Sequence, residues 1–264
     1  GVAVTFYQSQ PQKTAPKLEI LDAQGRVIRS VSGTHKIAGK DEPYIPNKAG
    51  LNRYVWDFAV NGPVKWNGGS EFSKGPDTGP GVVPGSYSAR MTLSGRTYVQ
   101  SFSVGPDPRS RFTQADYRRS FDEAMRQMAH LSAVDTMLNN LDDVKKGIET
   151  ALEASKKANN AALTAKLQEA STARQALFDT LAVNMRGEGT EDEGRLHDDV
   201  FGAYFAAQGL ITPAVSSLLA RADAEYRDGV NRYNAFLNAV LPGVNAALKQ
   251  AGMKALPAAG VVKI

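Results

Sequence analysis

Gly105-Pro106-Asp107-Pro108, followed shortly by Thr113-Gln114-Ala115-Asp116, is the stretch where this chain changes character. Proline fixes its own φ and biases the preceding residue toward extended geometry, so Pro-Asp-Pro reads as a short, stiff joint. The first 110 residues, this joint included, hold 10 of the 13 prolines and 14 of the 24 glycines. Downstream, alanine and leucine dominate. The expected architecture is α+β in two domains: an antiparallel, Ig-like β-sandwich over 1–108 and an α-helical bundle over 109–264.

Thr113 and Asp116 read as a variant capping box, with an N-cap hydroxyl and an acidic side chain that also complements the helix dipole. From Tyr117 to Leu152, apolar residues then recur at threes and fours and predict one long helix to about residue 156. Leu163, Leu167, Ala170, Leu177 and Leu181 trace a second stripe. A short apolar segment runs from Val200 to Ala207. Thr212-Pro213 restarts a helix, because proline at the first helical position has no N–H to leave unpaired. Pro242 predicts a kink or a fresh helical start before Val244. The sum is three long helices and a short one.

Working upstream from the joint, period-two alternation marks strands. Val2, Val4 and Phe6 alternate with Ala3, Thr5 and Tyr7. Leu18 and Ile20 lead into the tight turn Asp22-Ala23-Gln24-Gly25 and a returning strand with Val27 and Val31. Further strands are expected at Asn52–Phe58, Ser86–Leu93 and Thr97–Val104, the last two closed by Ser94-Gly95-Arg96. Tyr54, Trp56 and Phe58 at alternating positions place Trp56 in a sandwich core. The excursion from Asn61 to Pro84 is too long for an idle loop. Its large apolar groups, Trp66 and Phe72, are expected either to pin it to a neighbour or to form a contact surface with Tyr44.

With 264 residues, 42% hydrophobic and 22% charged, the chain has the means to bury a core, which excludes global disorder. No cysteine is present, which excludes disulfide scaffolds, zinc ribbons, iron–sulfur clusters and thiol catalysis. The net charge of +4 is mild. Of the charged side chains, 13 basic and 8 acidic fall in the first 110 residues, so the excess positive charge is N-terminal. No clustered basic patch suited to nucleic acid appears, and no apolar run is long enough to span a bilayer. Gly1 stands where neither an initiator methionine nor a basic leader is found, which predicts a piece trimmed from a longer protein.

Enzyme signatures are missing from the sequence: there is no phosphate-cradling glycine loop, no Gly-x-Ser-x-Gly elbow and no His-Glu-x-x-His motif. The imidazoles are His35, His130 and His197. His197 beside Asp198 and Asp199 reads as a solvated, charged turn rather than a metal site, and Glu191-Asp192-Glu193 lacks the ligand spacing of a calcium loop. His130, between Met128 and Leu131, is expected as a boundary or core residue. No catalytic residue, metal ligand or cofactor is expected.

Four segments carry a more specific likeness: Leu18-Glu-Ile-Leu-Asp-Ala-Gln-Gly-Arg-Val-Ile-Arg29, Ala49-Gly-Leu-Asn-Arg-Tyr-Val-Trp-Asp57, Pro84-Gly-Ser-Tyr87 and Gly95-Arg-Thr-Tyr98. They resemble an Ig-like domain of the flagellar hook-capping (FlgD) type. More closely, with Leu241-Pro-Gly-Val-Asn-Ala-Ala-Leu248, they resemble the C-terminal region of bacterial sortilin-like proteins with BNR/Asp-box repeats, often labelled glycosyl hydrolases. The resemblance implies a sandwich that follows a β-propeller, a helical tail, and export to the periplasm, cell surface or medium. The Asp-box repeats themselves are absent from these residues, so a hydrolase label does not transfer. The expected function is a non-catalytic accessory or interaction region whose partner is the upstream propeller or another protein. Two alternatives are a carbohydrate-binding module using Trp66, Tyr44 and the glycine-rich loop, with a glycan as partner, and a non-catalytic part of a glycoside hydrolase-like enzyme to which Glu188–Asp199 lends carboxylates.

Overall fold

The computed structural model of this chain describes residues 1–37, 40–69, 75–182 and 195–263, with backbone alone for 35–37 and 40–43. The protein is α+β, 48% helix and 22% strand, and its sheets are antiparallel. Backbone contacts divide it into two compact units. The first is Gly1–Gly62 with Asp77–Asp122, and the second is Pro63–Pro76 with Glu123–Ile264.

The strands among the described residues are β1 (Val2–Gln8), β2 (Lys17–Leu21), β3 (Val27–Ser32), β4 (Thr34–Ile37), β5 (Lys40–Pro43), β6 (Gly50–Trp56), β7 (Ala59–Asn61), β8 (Thr78–Gly81), β9 (Gly85–Leu93) and β10 (Arg96–Val104). In the first unit they form a four-stranded sheet ordered β10-β9-β2-β3 and three two-stranded sheets, β1-β6, β4-β5 and β7-β8. The register runs from Val2 opposite Trp56 to Gln8 opposite Gly50, which turns Val2, Val4 and Phe6 inward as the alternation predicts. Between β2 and β3, Asp22 Oδ1 accepts from the main-chain N–H groups of Gln24 and Arg26, and Gly25 takes a φ of 78°. A side chain at that angle would be strained, so glycine is required there.

Leu18, Ile20, Val31, Ala89 and Met91 from the larger sheet meet Trp56 of β6 in one core. Trp56 is fully buried, its ring edge-on to Phe58 and Phe102 and tilted against Tyr87, with its Nε1 donating to the Ala59 carbonyl at 2.8 Å. Burial of each such large apolar side chain contributes about 1.5–3 kcal/mol. The short strands β4, β5, β7 and β8 have no sequence signal. Lys40–Pro43 is charged and ends on proline, and β8 is Thr-Gly-Pro-Gly, so pairing there is imposed by neighbours and not by propensity.

The helices are α1 (Gln114–Lys157), α2 (Ala161–Leu181), α3 (Leu196–Ala207), α4 (Pro213–Ala239) and α5 (Leu241–Gln250). The Thr113–Asp116 capping box forms as expected: Asp116 N donates to Thr113 Oγ1, and Thr113 N donates back to Asp116 Oδ2 at 2.9 Å. Asn160 caps α2 and Thr212 caps α4, each accepting from the main-chain N–H three residues on. A fresh helical start, not a kink, answers Pro242, with Val240 between α4 and α5. In the second unit, Leu131, Val134, Leu138, Leu141 and Ile148 of α1 share a core with Leu163 and Leu167 of α2, Val200 of α3, Val230 and Tyr233 of α4 and Leu248 of α5. Beyond α5 the chain is pinned by Asn234, which donates to the Val262 carbonyl and accepts from the Val262 N–H.

Candidate functional site

Trp66 lies in this helical core and is 1% exposed, so of the two expectations for it the pinning of its segment fits and an exposed contact surface does not. The reason is a polar stripe on α1, Ser132, Asp135, Asn139 and Asp142, at spacings of three and four that place them along one helix face. Ser132 Oγ accepts from Val64 N at 3.2 Å, and Asn139 both accepts from Asn67 N at 2.8 Å and donates to the Lys65 carbonyl at 2.9 Å. Asp142 Oδ2 accepts the Trp66 indole N–H at 2.9 Å. Trp66 is also edge-on to Phe178 and His197. The segment 63–69 is thus held by the helix it crosses, backbone groups included.

Arg174 of α2, buried at 3% exposure, completes the arrangement. Its Nη2 donates to Asp142 Oδ1 and its Nε to the Leu141 carbonyl, both at 2.9 Å, while the guanidinium sits 4.4 Å from the Phe178 ring centroid. Burial lowers the Arg174 pKa, and Asp142 opposes that shift.

His197 is 2% exposed at the start of α3, with Nε2 3.1 Å from Asp135 Oδ1 of fully buried Asp135 and Nδ1 3.6 Å from Asp198. The solvated-turn reading is therefore corrected: the helix begins one residue earlier and turns this imidazole into the core, stacked on Phe201. Burial alone pushes the His197 pKa down, but the Asp135 and Asp198 carboxylates beside it more than reverse that and hold it at about 9. Burial raises the Asp135 pKa, with His197 and the Trp66 main-chain N–H pulling it back.

A second polar network joins α1 to α4. Asp223 accepts from Arg126 and, at 2.8 Å, from Gln127 Nε2. His130, at the edge of the core as expected, stacks on Tyr226 with ring centroids 3.9 Å apart, and its pKa is lowered by burial against the attraction of Asp223. Nearby, Asp199 and Glu225 line a cleft of about 550 Å³, and burial followed by hydrogen bonding to Asp199 raises the Glu225 pKa. Among the described residues no group of three or more His, Asp or Glu is placed to hold a metal, and no helix is long and apolar enough to cross a membrane. Phe72 and the acidic run at 188–194 lie outside the described residues.

In the first unit a cleft of about 650 Å³ opens beside β3, the end strand of the four-stranded sheet. It is lined by Arg29 and Ser30 of β3, Tyr54 of β6, Asn61 of β7, and Tyr44 and Asp77 from the connections. Tyr44, a predicted contact residue, is 48% exposed there. Two polar groups are fixed: Arg29 Nη1 donates to the Val60 carbonyl at 3.2 Å, and Asn61 Oδ1 accepts from Ser30 N at 3.0 Å. Arg29 Nε is buried without an acceptor. Burial raises the Tyr54 pKa and the Arg29 charge opposes it, so the phenol stays protonated at neutral pH. Sequence reasoning named Tyr44 only as part of a contact surface with Trp66 and Phe72, and it did not single out the other lining residues, because Tyr54 reads as one more inward strand residue and Arg29 as part of a hairpin strand.

Compared with known proteins, the chain matches no family model, no curated protein and no solved structure.

Proposed function

We propose that this chain is a non-catalytic accessory and interaction region of an exported bacterial β-propeller protein, serving intramolecular packing or protein assembly. In this reading the strand-rich unit is an Ig-like sandwich, the helices form a second domain, and the contact made is with the upstream propeller or a protein partner. The observation that carries it is the outer face of β1 and β6. There Tyr7 lies opposite Leu51 and Ala3 opposite Val55, with Tyr7, Leu51 and Val55 exposed at 71%, 74% and 51%. Thr5 lies opposite Arg53 between these two pairs, so the face carries exposed apolar side chains on either side of one polar pair, and large apolar side chains left in water favour a covering partner. Charged side chains in the helical unit support the same reading, since Asp142, Arg174, Asp135 and His197 are spent on holding its own core together. The resemblance of residues 16–108 to the sortilin-like C-terminal region supplies the propeller and the exported setting.

Crosslinking and native mass spectrometry of the full-length parent protein test it. The expected result is crosslinks from lysines flanking the β1–β6 face, such as Lys48, to the propeller or a partner, lost in Leu51→Lys. A parent in which this region makes no such contact overturns the reading.

A further inference from the structure

We propose that the cleft beside β3 in the first unit is a saccharide-binding site. Sugar rings are recognised by an aromatic face laid on their C–H groups and by a few fixed donors and acceptors for their hydroxyls. This cleft brings both together. Tyr44 offers a half-exposed ring and Tyr54 a neutral phenol. Asn61 has its Oδ1 committed to the Ser30 N–H, so what it has left for a ligand is its pair of amide donors. Arg29 is held in place by the Val60 carbonyl, and Asp77 adds a carboxylate on the same wall. Groups already locked by their own partners lose little freedom when a ligand arrives. The volume, about 650 Å³, accommodates one or two sugar rings, within the usual range for small-ligand sites. Arg29 and Asp77 are of opposite sign, which favours a hydroxyl-rich neutral ligand over a highly charged one.

This site is separate from the β1–β6 face, so its failure leaves the packing proposal standing, and the reverse. The test is titration of the 264-residue chain with cellotetraose, maltotetraose and chitotetraose, followed through the backbone amide resonances of Ser30, Ser32 and Gly62. Saturable shifts at those amides with at least one probe by about 10 mM are expected. Tyr44→Ala should weaken binding about tenfold, equivalent to ~1.4 kcal/mol. Asn61→Asp, which keeps the acceptor for Ser30 N–H and exchanges the amide donors for a charged carboxylate, should do the same with an unchanged melting temperature, and it decides the matter if Tyr44→Ala fails to fold. Tyr98→Ala, on exposed β10, should bind as the parent chain does. No saturable shift with any probe, or binding indifferent to Asn61→Asp, overturns the proposal. Shifts at these amides with an extended tetrapeptide but with no sugar also overturn it, and assign the cleft to peptide.

Discussion

Trp56 and Trp66 are both essentially buried, yet they hold their units together in opposite ways. Trp56 gives its indole N–H to a carbonyl three residues away and fills an aromatic cluster on a strand whose alternation already points it inward. Trp66 gives the same group to a carboxylate 76 residues away, from a segment with no regular structure of its own. The first is a local device completed by packing. The second exists only because a stripe of polar side chains on α1 and the guanidinium of Arg174 are there to receive it.

Truncation separates the two most forcefully. Trp66→Ala is expected to cost the second unit up to about 5 kcal/mol, since it leaves a large cavity and strips Asp142 of a donor. Amide hydrogen exchange at Val64 and Asn67 should rise before that of the β2–β9 pairing. If both accelerate equally, the two tryptophans do not report on separate stabilities. Single-tryptophan variants, Trp56→Phe and Trp66→Phe, let fluorescence follow each unit's melting by itself.

Next in size is the ion pair beneath Trp66. His197 has its pKa raised from 6.5 to about 9, so its contribution is complete below pH 6.5 and is lost as pH rises through 9. Thermal melts of the parent chain should therefore lose stability across that window. His197→Gln should flatten the slope and cost about 3 kcal/mol near neutral pH, because it leaves Asp135 buried without its cation. A slope that survives the substitution would place the titrating group elsewhere.

A smaller effect is expected at Gly229, where an added Cβ collides with Leu196 Cδ2 and meets Leu181 Cδ2 at 3.4 Å. Gly229→Ala should cost about 2 kcal/mol by overpacking α3 against α4, read from urea unfolding. The gentlest test is local. Thr113→Ala removes a cap whose partners all lie within three residues and should cost about 1 kcal/mol. Equal costs for the local and the long-range substitutions would erase the distinction drawn between the two tryptophans.

Much of the fold was legible for the reason that makes Trp56 legible. Helix periodicity, the caps at Thr113 and Thr212, the turn at Asp22–Gly25 and the pairing partners' alternation all act over a few residues, so each is written in a short window of sequence. The candidate cleft was not legible as a unit, since Tyr44 was grouped with Trp66 and Phe72 and not with its neighbours here. Arg29, Tyr54, Asn61 and Asp77 meet across three strands and a connection, and nothing within reach of any one of them announces the others. The same limit hid the loop's anchor. Ser132, Asp135, Asn139 and Asp142 do stand at helical spacing, and that stripe was the available signal, but polar residues on a long helix also read as a solvated face.

What the sequence by itself determined is the order and kind of the longer elements: strands before Pro106, helices after Thr113, and Trp56 in a core. Burial of a large alternating or helically spaced side chain is favoured wherever its element packs, so the pattern suffices. Tertiary structure alone decided that Trp66 is a core residue of the helical unit, that His197 is buried against Asp135, and that two tyrosines share a cleft with Arg29. Those outcomes depend on which charges and hydrogen-bonding groups are left to satisfy one another after distant segments meet, and desolvation makes those choices costly to reverse.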